Sequence, residues 1–485
     1  MKKTLFICTL LIFFAGFGGK TGEFVTVTNN YKVVLFNGEE GVLKRLNANN
    51  LIRAYSLNSN VFAQYTADDT NQPYMKTAEY HWGQDYIHLS AAWATVGTPT
   101  YSPIVAILDS GIDLTHPDLS ANIWVNPGET KDNRDDDGNG YIDDVNGYNF
   151  VDNNAGCTDD YGHGTMIAGI IGAVKGNNQG LSGICPTVRM MSVKVLDHQG
   201  EGKADNVIKG IFYAVANGAD IINISFAQEK PSPVLETALE YAYRKGIVII
   251  AAAGNYGVST PYYPAYSKYT ISVAAMNTNG YISSMSNYGD YIDVLAPGID
   301  IYSTYPGSDP TKLYAVKDGT SLAAGFVSGV AALVKAYKPE LKNNDIIHII
   351  LNGTSNSEKF VQGEKGIYGY GTLDAAKAVS MAASYNYSSQ ISKTYAYPNP
   401  FVLSKHKLVK ILGIPTDESS SVEIFDVSGR RVRTLDDHYS EIDSAAGTAL
   451  WDGKNDYGQL VGSGVYFYYI KSNQSGQKGT ITVVR

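Results

Sequence analysis

Ile104-Val105-Ala106-Ile107-Leu108-Asp109-Ser110-Gly111-Ile112-Asp113 is an unbroken aliphatic run that stops at an acid. A strand with one wet face alternates; a strand buried on both faces does not, so this run predicts an interior strand. The pattern continues outward from it. Residues 188–196 alternate in hydrophobicity, 204–217 read as a helix, 220–226 as a strand, 233–245 as a helix and 247–253 as a second buried strand. Apolar strands separated by amphipathic helices predict an α/β fold, a doubly wound parallel sheet covered on both faces, over residues 81–384. Such sheets hold ligands at the carboxyl ends of their strands. Asp109 stands at one such end, and Asn255 follows another.

Two further segments carry chemistry. His163-Gly164-Thr165 opens an apolar stretch from Met166 to Val174. Gly319-Thr320-Ser321-Leu322-Ala323-Ala324 leads into residues 322–337, a predicted long helix stopped before Pro339. A serine hydroxyl is a poor nucleophile at neutral pH. It needs an imidazole to take its proton and a buried carboxylate to orient that imidazole. A serine at a helix N-terminus gains unpaired backbone N–H groups and the positive end of the dipole. The order Asp, His, Ser differs from the Ser, Asp, His order of α/β-hydrolases, and no Gly-x-Ser-x-Gly elbow surrounds Ser321, which argues against an esterase or lipase.

With their flanking residues, Asp109-Ser110-Gly111, His163-Gly164-Thr165 with Ile167-Ala168-Gly169, and Gly319-Thr320-Ser321 with Val327-Ser328-Gly329 resemble the subtilisin-like serine proteases, the subtilases of peptidase family S8. The resemblance implies a secreted serine endopeptidase acting through an acyl-enzyme on protein or peptide substrates. It implies catalytic roles for Asp109, His163 and Ser321, with the Asn255 side chain as an oxyanion donor beside the Ser321 N–H. It assigns Ser225, Phe226 and Ala227, with Ala253 and Gly254, to the wall of the first specificity pocket. Gly200, Glu201 and Gly202 become an edge that pairs with extended substrate, where Glu201 would favour basic side chains. Four residues depart from the family pattern: Met166 for a second His, Ala227 for Gly, Leu322 for Met and Gly325 for Pro. Those departures are the basis of the alternative reading, a catalytically silent surface-binding protein that keeps the fold.

Asp132-Asn133-Arg134-Asp135-Asp136-Asp137-Gly138-Asn139-Gly140-Tyr141-Ile142-Asp143-Asp144 is a second strong signal. Asp135, Asp137 and Asn139 fall at the first, third and fifth places of an EF-hand-like loop, Gly140 at the sixth and the Tyr141 carbonyl at the seventh. Asp143 or Asp144 would complete the shell. Acids this dense repel one another, so the loop predicts a structural Ca2+. The closing Glu of an EF-hand is missing, so no helix–loop–helix is implied.

The chain has 485 residues, long enough for two or three folded units. Its net charge of −9 argues against nucleic acid or anionic membranes as partners. Lys2 and Lys3 precede an apolar run too short to span a bilayer, so residues 1–19 read as a signal peptide and no transmembrane anchor is expected in the mature chain. Residues 20–80 occupy the place of a subtilase pro-segment, with one strand-like run at 31–36. Cys157 and Cys185 leave two readings open, a disulfide or two buried thiols. Residues 385–395 are a polar linker. Beyond it, the alternation of 422–427, the turn at Ser428-Gly429 and the run Gly464-Val465-Tyr466-Phe467-Tyr468-Tyr469 predict an all-β domain over 396–485. It resembles the Ig-like sorting and adhesion domains of exported Gram-negative enzymes, including those of the type IX route, which implies a secretion-machinery partner and a secreted or cell-surface location.

Overall fold

The structure, a computed structural model, describes residues 21–28, 33–39, 52–57 and 60–63, residues 81–355 and 369–385 with few gaps, and most of 394–485. The expected signal peptide and most of the expected linker lie outside the described residues.

Four strands come first: β1 (Thr21–Thr28), β2 (Val33–Glu39), β3 (Ile52–Leu57) and β4 (Asn60–Ala63). An antiparallel sheet of order β2-β1-β3 buries Phe24, Val25 and Val27. Two short helices, α1 (Trp82–Tyr86) and α2 (Leu89–Val96), then lead to β5 (Ile104–Asp109), the predicted interior strand.

The central sheet also contains β6 (Gly147–Asn149), β7 (Arg189–Lys194), β9 (Ile221–Ile224), β11 (Val248–Ala252), β12 (Ile271–Met276), β13 (Val294–Pro297) and β16 (Gly371–Thr372). Its order is β16-β13-β12-β11-β9-β5-β7-β6, and every pairing is parallel. From β5 the chain goes out to the edge strand β6 and returns to β7 beside β5, then crosses to β9 and runs the other way through β11, β12 and β13. That reversal is the switch point where an open α/β sheet leaves a crevice. Strands β9, β11, β12 and β13 are buried at every residue, which is why their sequences do not alternate.

The covering helices are α3 (His163–Gly172), α4 (Ala204–Ala216), α5 (Pro233–Arg244), α6 (Thr320–Tyr337), α7 (Asn343–Asn352) and α8 (Ala375–Ser384). α5 starts where its sequence directs: the Ser232 side chain accepts from Leu235 N, and Pro233 fills the first turn. α6 packs on β9, β11, β12 and β13 and against α3. Among the described residues it is the one helix long and apolar enough to cross a membrane, and 89% of it is buried in the protein, so it is a core helix. The hairpin of β14 (Ile301–Thr304) and β15 (Tyr314–Lys317) braces α3: Ser303 Oγ donates to Met166 O and Thr304 Oγ1 to Thr165 O, both at 2.7 Å.

The C-terminal region forms two sheets. One has the order β17 (Tyr395–Tyr397), β19 (Val409–Leu412), β23 (Thr448–Trp451), β22 (Ile442–Asp443). The other has the order β18 (Phe401–Val402), β25 (Gln477–Val484), β24 (Gly464–Lys471), β20 (Ser421–Phe425), β21 (Arg431–Leu435). Phe401, Ile411, Ile424, Trp451, Tyr468 and Ile481 fill a core of their own. β20 and β24 alternate buried and accessible residues, as the sequence pattern requires. This unit docks on α5 and α7: Asn344 Nδ2 donates to Thr448 Oγ1 at 2.6 Å, and the Lys410 ammonium lies 5.5 Å from the Tyr243 ring centroid.

Candidate active site

The apolar run of β5 buries its final residue, Asp109, at 0% exposure. The Asp109 carboxylate is oriented twice through one oxygen: Oδ1 accepts from Ser110 N and from His163 Nδ1, each at 2.7 Å. A carboxylate can only accept, so Nδ1 carries the proton and Nε2 is the basic nitrogen of the neutral ring. His163 is the first residue of α3 and is 1% exposed. Two glycines let that helix start here. Gly162 sits at φ +106°, where a Cβ would lie 2.6 Å from the Tyr305 ring; a Cβ on Gly164 would lie 2.1 Å from Gly111 O. The helix thus meets the Asp109 turn backbone to backbone.

Asp159 ties the two segments together, and nothing in the sequence reading singled it out. Its Oδ1 accepts from Ser110 Oγ, Tyr161 N and Gly162 N, and its Oδ2 from Thr165 N and Thr165 Oγ1. Gly164 N in turn donates to Ser110 Oγ at 3.0 Å. An acid just before a predicted helix N-terminus is the available sequence signal, since it satisfies orphan N–H groups there.

Ser321 is in the first turn of α6, whose N-cap is Gly319, and is fully buried. α6 packs on α3, so the helix starting at His163 and the helix starting at Thr320 are neighbours. The Asn255 side chain is locked from the Ser321 side: its Oδ1 accepts from Thr320 N at 2.9 Å and Thr320 Oγ1 at 2.8 Å, while Gly254 N donates to Thr320 Oγ1 at 3.1 Å. The half of the amide not fixed by Thr320 is therefore the NH2 donor half. Ser225 Oγ reaches Ser321 O at 3.4 Å, and Asn223 links Ser225 Oγ to Ser328 Oγ. The four departures sit quietly: Met166, Ala227 and Leu322 are buried, and α6 runs unbroken through Gly325.

The two segments assigned to substrate come together with an occupant. β8 (Glu201–Lys203) and β10 (Phe226–Ala227) flank β4, which pairs antiparallel with both. Val61 pairs with Gly202, Phe62 with Glu201 and Ala227, and Ala63 with Phe226. Val61 is fully buried, and Gly200 makes the turn into β8 at φ +74°. Ala253 and Gly254 lie buried at the end of β11, beside Thr320. β4 carried no recognisable signal because its partners are more than a hundred residues away.

In and beside the acidic loop three carboxylates gather at one point. Ligand atoms of Glu129, Asp137 and Asp144 lie within 4.8 Å of one another. Glu129, outside the quoted run, spends Oε1 on Asp136 N and Asp137 N, while Oε2 is buried with no hydrogen-bond partner among the described residues. Asp144 accepts from Asn126, Asn139 and Tyr213, and burial pushes its carboxyl up. Three clustered carboxylates with an orphaned buried oxygen fit a hard cation such as Ca2+. Asp135 receives Asn139 N and Gly140 N, Asp143 receives Asp132 N and Asn133 N, and the Tyr141 ring joins Tyr148, Phe150 and Tyr213. Of the two readings for the cysteines, the thiols are the one observed: Cys157 and Cys185 are free and buried, and burial pushes them up to about 11 and about 12.

Residues 101–371 match the Subtilase family, which is more than half of the chain. The chain belongs to the subtilases. It is similar to the thermophilic serine proteinase of Bacillus sp. (strain AK1), 33% identical over 73% of this chain and 79% of that protein. Thermitase of Thermoactinomyces vulgaris is 35% identical over 64% of this chain and 98% of its own length. Subtilisin Savinase of Lederbergia lenta is 34% identical over 56% and 89%. Membership makes this subtilase a serine-type endopeptidase, and the eight-stranded parallel sheet with its helices is the fold expected of it.

Proposed function

We propose that the chain is a secreted subtilase in which Asp109, His163 and Ser321 cleave peptide bonds. The observation that carries this reading is the 2.7 Å contact of Asp109 Oδ1 with His163 Nδ1, at the start of a helix packed on the one bearing Ser321. Ser321 Oγ attacks the scissile carbonyl carbon as its proton passes to His163 Nε2. The oxyanion takes hydrogen bonds from the Ser321 N–H and Asn255 Nδ2. His163 then protonates the departing amine as the C–N bond breaks. Water, deprotonated by Nε2, attacks the acyl ester, and Ser321 regains its proton. Asp109 stays ionised and holds the ring. Casein hydrolysis tests this: wild type is active, and S321A and H163A lose activity by at least about 10³-fold while remaining folded.

Extended substrate adds as a strand between β8 and β10, the slot that β4 fills in the full chain. Residues 20–80 are accordingly the pro-segment, a built-in occupant of the cleft, and the new N-terminus of the secreted product falls between residues 64 and 81. Mass spectrometry reads that end directly, and S321A accumulates uncut. Ca2+ held by Glu129, Asp137 and Asp144, with Asn139 beside them, neutralises the clustered acids and stiffens the loop. The C-terminal sandwich serves sorting or attachment; a chain ending at residue 393 is expected to be active but misdelivered.

A further inference from the structure

Lys194 ends β7 and is the register partner of Asp109 in the β5–β7 pairing, so the two side chains leave the sheet together at its carboxyl rim. It is 2% exposed. Lysine is almost never buried this deeply without partners. Its Nζ has two, each at 2.6 Å: Asp160 Oδ1 and the carbonyl oxygen of Ser110. The ion pair alone does not explain such a residue, because Asp160 is 51% exposed and apolar replacement of a buried pair is often neutral or stabilising. The carbonyl is the informative contact. Ser110 is the residue whose N–H holds Asp109 Oδ1 and whose hydroxyl joins Asp159 to Gly164 N. The ammonium therefore clamps the turn that orients the acid of the triad. The two carboxylates that Ser110 contacts, Asp109 and Asp159, are 0% and 7% exposed, and Asp109 Oδ2 has no hydrogen-bond partner among the described residues.

We infer that Lys194 is a positioning residue for catalysis: through the Ser110 carbonyl it fixes the Asp109–Ser110 turn behind His163. The inference rests on the triad reading above. It is tested in K194Q, K194M, K194R and D160N by measuring kcat and KM on a chromogenic peptide, normalised to sites titrated with a fluorophosphonate, together with Tm. K194Q and K194M are expected to lose about 10- to 10²-fold in kcat per titrated site, the scale of a small misplacement of a reacting group, with KM changed less than about twofold. K194R keeps the charge and the donors and is expected to recover most of that loss. D160N leaves the Ser110 bond in place and keeps kcat within about threefold. Neutral variants that lose titratable sites but turn over at the wild-type rate per site would make Lys194 purely structural and overturn the inference. A D160N defect as large as that of K194Q would do the same, since the pair and not the clamp would then matter; D160N also decides the case if the neutral variants do not fold. Activity surviving in S321A would instead defeat the triad reading, so the two failures are distinct.

Discussion

Asn255 illustrates how little freedom the site leaves a single side chain. Two hydrogen bonds to its oxygen come from Thr320, one residue before Ser321. Removing the amide in N255A should cost about 10²–10³-fold in kcat with little change in KM. T320V keeps the shape but loses the hydroxyl that both donates to Asn255 and accepts from Gly254 N. It should lower kcat by about tenfold and cost on the order of 1–3 kcal/mol in denaturant stability, the usual penalty for stranding a buried partner. D109N should cost about 10⁴-fold, because an amide at that position permits the wrong imidazole tautomer. At this scale Asp109, His163, Ser321 and Asn255 were legible as candidates because each sits in a short segment with a local signature. Asp159, Thr320 and Glu129 were not. Their roles come from partners across the fold, and an acid or a threonine before a helix looks like an ordinary cap in sequence.

At the scale of the element, the helices show which glycines are required. A Cβ on Gly325 would meet Ile170 Cγ2 at 3.5 Å, ordinary contact, in the middle of a buried helix. G325A should therefore raise stability by about 0.5–1 kcal/mol in a thermal melt and leave kcat unchanged. G164A should do the opposite, since its Cβ would enter Gly111 O at 2.1 Å. α6 runs unbroken through Gly325 and is buried along nearly its whole length. The acidic loop behaves as one element too. Chelation with EDTA should lower Tm, and E129Q should remove much of that chelator-sensitive part, because it converts the buried, unpartnered carboxylate oxygen into a neutral amide. Periodicity gave β5, β7, β9, β11 and the C-terminal alternation, and did not single out the buried strands β12 and β13. It gave β2 and missed β1, β3 and β4, short segments whose pairing partners, not their composition, make them strands.

At the scale of the molecule, the C-terminal sandwich is docked as well as tethered. His348 of α7 lies at this junction, and burial first, then the Lys410 ammonium, lowers its pKa to about 4. The unfolded chain keeps the ordinary value near 6.5, so it binds more protons than the folded one between those limits. Stability is thus full above about pH 6.5 and is lost as pH falls toward about 4. H348Q should flatten that part of the pH–stability curve in denaturant melts while leaving the neutral-pH value within about 1 kcal/mol. Of the N-terminal strands, β4 acts on the molecule differently, by lying between β8 and β10 and pairing with both. The central claim is that three residues far apart in sequence make one nucleophilic centre. Fluorophosphonate labelling of the processed protein, with the adduct mapped by mass spectrometry, tests it most directly. One phosphonyl group on Ser321, absent in H163A and S321A, is the predicted result; a folded, processed protein that takes no label, or takes it on another residue, would contradict the account.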